Sequence, residues 1–270
     1  MLAKHVLLKI AYVLIGDLDM HRRDLLKALT GLALCPLCAR AASSSEGPHW
    51  SYEGAHGPDH WGDLDPADRV CSVGSQQSPI AIDASIEARL PPLEIAWAER
   101  PDTIVNNGHT IQLNFGDGGA LNVGSQTYKL AQFHFHHPSE HLIDDKHSAM
   151  EAHFVHRNAT GSLGVIGVLM TAGKTNPAFA KIAATMPQTA GEPVKADPGI
   201  DPKGLLPAKL GYYAYSGSLT TPPCSETVEW MLLAEPIEVA AADIAAFAKL
   251  YPMNARPAQK LDRRFVLHSV

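Results

Sequence analysis

Half of the chain's fourteen histidines fall in residues 131–156, AQFHFHHPSEHLIDDKHSAMEAHFVH. Within it, Gln132-Phe133-His134-Phe135-His136 alternates polar and aromatic side chains. Strand side chains point alternately to opposite faces, so His134 and His136 share one side of one strand. A second alternating run, Glu151-Ala152-His153-Phe154-Val155, puts Glu151, His153 and Val155 on one face, after a connection in which Pro138, Asp144 and Asp145 signal turns. If the two strands pair, a third imidazole joins the first two. A single histidine in a strand is ordinarily a surface or core polar residue. Three that face one spot repel one another when charged, unless a metal holds them neutral. Three neutral imidazoles on rigid strands suit zinc, and a fourth tetrahedral position left open is what separates a catalytic site from a structural one.

Such a site needs a stiff sheet beneath it. From residue 90 onward the chain runs in short alternating stretches, 93–98, 103–106, 110–115, 121–123 and 128–135, with Gly116-Asp117-Gly118-Gly119 between two of them, and these predict antiparallel strands joined by tight turns. Residues 161–171 are continuously apolar and predict a buried strand. Helical spacing appears over 177–184 and 240–250, and the Pro- and Gly-rich stretch 191–207 is expected to be a surface excursion. A chain of 270 residues with 46% hydrophobic content can bury one sizeable core, so one domain is expected.

The N-terminus reads as a targeting segment. His21-Arg22-Arg23-Asp24-Leu25-Leu26-Lys27 precedes an apolar run over 28–34, and Ala39-Arg40-Ala41 fits a small-residue cleavage site. The expectation is an export signal over residues 1–41, of twin-arginine-like or Sec type, with Met20 as an alternative start that makes 1–19 an extension. No apolar run reaches the roughly 18 residues of a membrane span. A linker over 42–49 then leads into a domain over 50–270, in the periplasm or secreted. Residues 42–270 carry 16 basic and 25 acidic residues, which argues against nucleic acid or an anionic membrane as partner.

The histidine segment resembles the active-site strands of α-class carbonic anhydrases, and the short form His136-His137-Pro138-Ser139-Glu140-His141 resembles their bacterial branch. Ser75-Gln76-Gln77-Ser78-Pro79-Ile80, Asn106-Asn107-Gly108-His109, Ser218-Leu219-Thr220-Thr221-Pro222-Pro223 and Asn254-Ala255-Arg256-Pro257-Ala258-Gln259 are similar to further segments of that family. The resemblance spans about residues 50–265. It implies a mainly β (α+β) single domain: a central mixed, mostly antiparallel sheet of about ten strands with a few peripheral helices.

It also implies a function: reversible hydration of carbon dioxide to bicarbonate and a proton by zinc-bound hydroxide, with Zn(2+) on His134, His136 and His153. Gln132 and Glu151 are then expected to fix the tautomers of His134 and His153. Thr220 accepts a hydrogen bond from the hydroxide and donates its own proton to Glu140, a double duty that needs a hydroxyl. Val155, Val165, Leu219 and Trp230 wall the carbon dioxide pocket, and Thr221 contacts bicarbonate. His109, by itself a loop residue after an Asn-Gly turn signal, becomes a proton shuttle of near-neutral pKa, with Asn107 and Gln112 ordering the water chain and Tyr52 at the mouth. The backbone at Asn254 is implied to hold His136. Sulfonamide or anion inhibitors are expected as ligands, and the chain is expected to act as a monomer or homodimer.

Cys35 and Cys38 would leave with the signal, and Cys71 and Cys224 remain. In an oxidising compartment these favour one long-range disulfide over two separate thiols, and the resemblance implies that same bond.

Two other functions are weighed. His134-x-His136-x3-Glu140 is also cupin spacing, but His147 stands where a cupin has glycine and no later Pro-x-Gly-x-x-His follows. An inactive binding protein on the carbonic anhydrase fold is the third reading, since fold does not dictate function. Such relatives usually lose a metal histidine, whereas this chain keeps all three with Glu140 and Thr220.

Overall fold

The structure, a computed structural model, describes residues 49–98 and 100–270. The expected export signal and all of the 42–49 linker except His49 lie outside the described residues.

Thirteen strands form the central sheet. Ten of them make a continuous run in the order Val194–Lys195, Thr103–Asn106, Ile111–Asn114, Gln126–His136, Met150–Arg157, Leu163–Ala172, Val228–Leu233, Tyr212–Gly217, Leu267–Ser269 and Ile86–Ala88. Most pairs are antiparallel. Parallel pairing enters where Leu163–Ala172 meets Val228–Leu233 and Ile237–Val239, and where Leu267–Ser269 meets Ile86–Ala88. The sheet is therefore mixed, as expected. The expected strand 103–106 is found unchanged, and the other alternating runs differ by one or two residues at their ends.

Burial explains the two kinds of strand sequence. Phe133 and Phe135 pack with Ala152, Phe154, Ile166 and Val168 into the larger core on one face of the sheet. Val165, Leu169, Trp230 and Leu232 form a second cluster on the other face. Strand Leu163–Ala172 is covered on both sides, hence its continuous apolar sequence. Gln126–His136 has an apolar core on one side only, hence its alternation.

Two helices close the larger core. Pro177–Thr185 starts where the Asn176 side chain accepts from the backbone N–H groups of Ala178 and Phe179, with Pro177 at the first helical position, and it buries Ala178, Phe179 and Ile182. Ala241–Leu250 buries Ile244 and Phe247. The stretch 191–207 is the expected surface excursion, largely exposed but anchored at a few points. Its Ala196, Ile200 and Leu205 are buried in the same cluster as Ala178, Phe179 and Ile182, because a segment crossing over a helix must cover that helix's apolar face.

Candidate active site

Register brings the two histidine strands together. Gln126–His136 and Met150–Arg157 pair antiparallel with His153 opposite His134 and Glu151 opposite His136, and directly opposed residues point to the same face. The three rings converge with centroids 4.5 Å apart for His136 and His153, 5.1 Å for His134 and His136, and 5.4 Å for His134 and His153.

Each ring is fixed by an oxygen on its far side. His134 Nδ1–H donates to Gln132 Oε1 at 2.8 Å, His136 Nδ1–H to the carbonyl of Asn254 at 2.7 Å, and His153 Nε2–H to Glu151 Oε1 at 2.8 Å. An oxygen acceptor demands a proton on the nitrogen facing it, so Nε2 of His134, Nε2 of His136 and Nδ1 of His153 carry the lone pairs. One ligand nitrogen from each ring lies within 4.8 Å of the others. Among the described residues, the buried His136 Nε2 finds no hydrogen-bond partner. A buried lone pair without a donor is costly, and a divalent cation satisfies it. Burial, followed by the neighbouring imidazoles, pushes His134 well below its usual pKa, which keeps it unprotonated for ligation.

Glu151 is the hub behind the histidine rings. Its Oε1 accepts from His153 and from His141 Nδ1 at 2.7 Å, and its Oε2 accepts the backbone N–H groups of Glu140 and His141, each at 2.9 Å. Burial acts to raise its pKa, but the attraction and hydrogen bonds of His141 and His153 carry it well below the usual carboxylate range. Gly167 makes room for it: a Cβ there would stand 3.1 Å from Glu151 Oε1 and 2.8 Å from Leu232 Cδ1.

Glu140 is fully buried, and its Oε1 accepts the backbone N–H of Arg256 at 2.8 Å. Burial raises its pKa to about 7, opposed by His153, the Arg256 N–H and the Thr220 hydroxyl. Thr220 and Thr221 line a cavity of about 160 Å³ into which His134, His136 and His153 also face. One wall is set by register: Val155 opposes Val165, and Val165 opposes Trp230, across three adjacent strands. Leu219 completes the apolar lining, and Tyr52, Asn107, Gln112 and His109 line the same cavity.

His109 stands at the aromatic edge of this cavity. Its ring is stacked on Trp50 at 3.6 Å between centroids and lies 4.7 Å from the ring of His49. Burial first, and His49 second, lower its pKa to about 4 rather than leaving it near neutrality. Asn107 Oδ1 accepts the backbone N–H groups of His109 and Thr110, each at 2.9 Å, and Asn107 Nδ2 reaches Gln112 Oε1 at 3.4 Å.

Cys71 and Cys224 form the expected disulfide, beside Trp61. Sequence reasoning passed over Trp50, His49, Arg256 and the chain His141–Tyr215–Ser78, in which His141 Nε2 lies 2.6 Å from Tyr215 Oη and that hydroxyl 3.1 Å from Ser78 Oγ. Only His141 carried a signal, as one of the clustered histidines. The others act through partners more than 50 residues away.

Residues 56–270 match the family model described as eukaryotic-type carbonic anhydrase. A carbonic anhydrase of Pectobacterium atrosepticum is 39% identical over 244 residues, 90% of this chain and 100% of that one. The solved complex of α-carbonic anhydrase from Thermovibrio ammonificans with the inhibitor sulfanilamide is similar at TM-score 0.80 and 43% identity, over 82% of this chain and 99% of that one. Dioscorin complexed with ascorbate is similar at TM-score 0.76 and 28% identity, over 82% and 98%.

Proposed function

Because the chain belongs to the eukaryotic-type, or α, carbonic anhydrase family and is an enzyme of carbon dioxide hydration, we propose that it works through zinc held by His134, His136 and His153. The observation that carries this is the buried, unpartnered Nε2 of His136 facing the free nitrogens of His134 and His153. Zinc, when bound, supplies Lewis acidity that makes water a nucleophile near neutral pH, a property for which carbonic anhydrases are themselves the reference case.

The chain's own residues do the rest. Gln132, the Asn254 carbonyl and Glu151 hold the three rings in their ligating tautomers. Thr220 donates its hydroxyl proton to Glu140, so that its oxygen lone pairs accept from the attacking water and aim it at carbon; a hydroxyl alone can serve both ways. Val155, Val165, Leu219 and Trp230 offer a dry wall to a substrate with no charge and no net dipole, and Thr221 contacts the bicarbonate formed. His109 carries the released proton to buffer, through waters ordered by Asn107 and Gln112, with Tyr52 lining the path. A ring with a pKa of about 4 accepts no proton at neutral pH, so His109 serves only after leaving Trp50.

A sulfonamide is expected to inhibit, as the sulfanilamide complex of the Thermovibrio relative supports. Export by residues 1–41 fits the Cys71–Cys224 bond, since disulfides persist in oxidising compartments. No helix among the described residues is long and apolar enough to cross a membrane.

The test is pH-indicator stopped flow on residues 42–270, with and without chelator or sulfonamide. Zinc-dependent, sulfonamide-sensitive hydration that falls roughly 100-fold in Thr220→Val is expected. One zinc per chain with hydration no faster than buffer sinks the catalytic reading in favour of a binder.

A further inference from the structure

We propose that Arg256 is a positioning residue whose side chain anchors the backbone N–H that holds Glu140. The inference rests on the zinc-enzyme reading for the role of Glu140, and on the following geometry for its own.

Glu140 is held from two sides: its Oε1 accepts the Arg256 backbone N–H at 2.8 Å, and the Thr220 hydroxyl interacts with the same carboxylate. The orientation that the carboxylate presents to Thr220 therefore depends on where the Arg256 N–H stands. Residues 252–258 form neither helix nor strand, so no ladder fixes it. The side chain of the same residue does so instead. Arg256 is 1% exposed, and its Nη1 donates to Gln77 Oε1 at 2.9 Å and to the Ser78 carbonyl at 2.8 Å. Its Nη2 donates to the carbonyl of Cys71, a partner in the disulfide, at 3.0 Å, and the guanidinium stands 5.5 Å from the ring centroid of Trp61. Gln77 is itself held, its Nε2 donating to the Cys224 carbonyl at 3.1 Å. The fork is thus bolted to the disulfide corner at both cysteines.

This is an expensive way to fill space. A buried cation carries a desolvation cost that an apolar side chain of similar volume avoids, and among the described residues no carboxylate forms an ion pair with this guanidinium. What the planar fork supplies is direction: several donors in fixed geometry pin the residue in position and rotation, which a hydrophobic anchor cannot do. Two residues earlier, Asn254 gives its carbonyl to His136 Nδ1, while its side chain donates to the Phe135 carbonyl at 3.0 Å and accepts the His137 N–H at 2.7 Å. One irregular segment thereby sets both a ligand ring and the carboxylate beside it, with Asn254 and Arg256 as its two pins.

Arg256→Lys keeps the charge and removes the fork; Gln77→Met keeps the arginine and removes one acceptor. For each zinc-loaded variant, kcat and KM are measured separately, and hydrogen exchange is followed at the amide of residue 256 and, as a reference in the core sheet, at Phe154. The expected result for Arg256→Lys is a kcat loss of about tenfold or more with KM within about twofold, since an orienting contact acts on the reacting geometry and not on ground-state binding. The amide at 256 is expected to exchange about tenfold faster while Phe154 is unchanged. Gln77→Met moves both readouts the same way by less. If Arg256→Lys does not fold, Gln77→Met decides by the same criteria. Readouts within about twofold of the parent, one moving without the other, or protection lost equally at Phe154 all overturn the proposal. A parent protein that does not hydrate carbon dioxide sinks the enzyme reading instead, and the exchange at residue 256 still reports whether the fork anchors that amide.

Discussion

The imidazole of His109 lies flat on the indole of Trp50, with ring centroids 3.6 Å apart and planes 11° apart. The stack removes one face of the imidazole from water and so contributes to the burial that, with His49 beside it, lowers the ring's pKa to about 4. Proton relay and stacking are therefore alternatives for this ring.

Trp50→Ala should release it. The His109 midpoint is expected to rise from about 4 toward its ordinary 6.5, read by NMR titration of the ring. A midpoint that stays near 4 would show that the indole is not the cause. In weak buffer His109→Ala should lower kcat, and added imidazole should restore it, because only the proton-transfer step is lost.

Metal binding separates the ligands from the groups behind them. The parent chain is expected to hold one zinc, and His134→Ala, His136→Ala and His153→Ala each to lose it on dialysis. Gln132→Ala should keep the metal with affinity weakened about 10- to 100-fold, measured by chelator competition, since it removes only the bond that fixes the His134 tautomer. Equal affinity in Gln132→Ala and the parent would dissociate that bond from ligation.

His156 should make stability depend on pH. Trp97 Nε1–H donates to its Nε2 at 2.9 Å and its Nδ1–H donates to the Gly164 carbonyl at 3.0 Å, an arrangement that only the neutral ring satisfies. Burial lowers its pKa from 6.5 to about 4. The unfolded chain then binds the proton first, so this contribution is fully present above pH 6.5 and is lost as pH falls toward 4. Urea unfolding should show His156→Gln with a shallower loss of stability between pH 7 and pH 5 than the parent, a difference of about 2 kcal/mol. Parallel pH profiles would refute it.

The disulfide closes a loop of 153 residues. Loop-closure entropy for that length corresponds to about 5 kcal/mol at most, so Cys71→Ser should lower the unfolding midpoint by several degrees or more. Reduction of the parent should match the variant, and an unchanged midpoint in both would show that the corner is held by Trp61 packing alone.

The strands and the histidines proposed as metal ligands were legible because their physics is local. Period-two alternation alone puts His134 and His136 on one face of their strand and Glu151 and His153 on one face of theirs, and the apolar run at 163–172 signals burial on both sides wherever that strand lies. What alternation leaves open is pairing. The opposition of His153 to His134, the parallel entry of Val228–Leu233 that completes the Val155–Val165–Trp230 wall, and the anchoring of the exposed stretch 191–207 through Ala196, Ile200 and Leu205 are all decided by how distant segments share one core. The groups that tune the site are further still from the reach of sequence. The resemblance alone pointed to the Asn254 backbone behind His136, 118 positions away, while Arg256 meets Glu140 across 116 through a backbone atom that every residue carries. The pKa of His109 belongs to the same class, since it depends on the solvent that Trp50 excludes, and exclusion of solvent is a property of the folded surface.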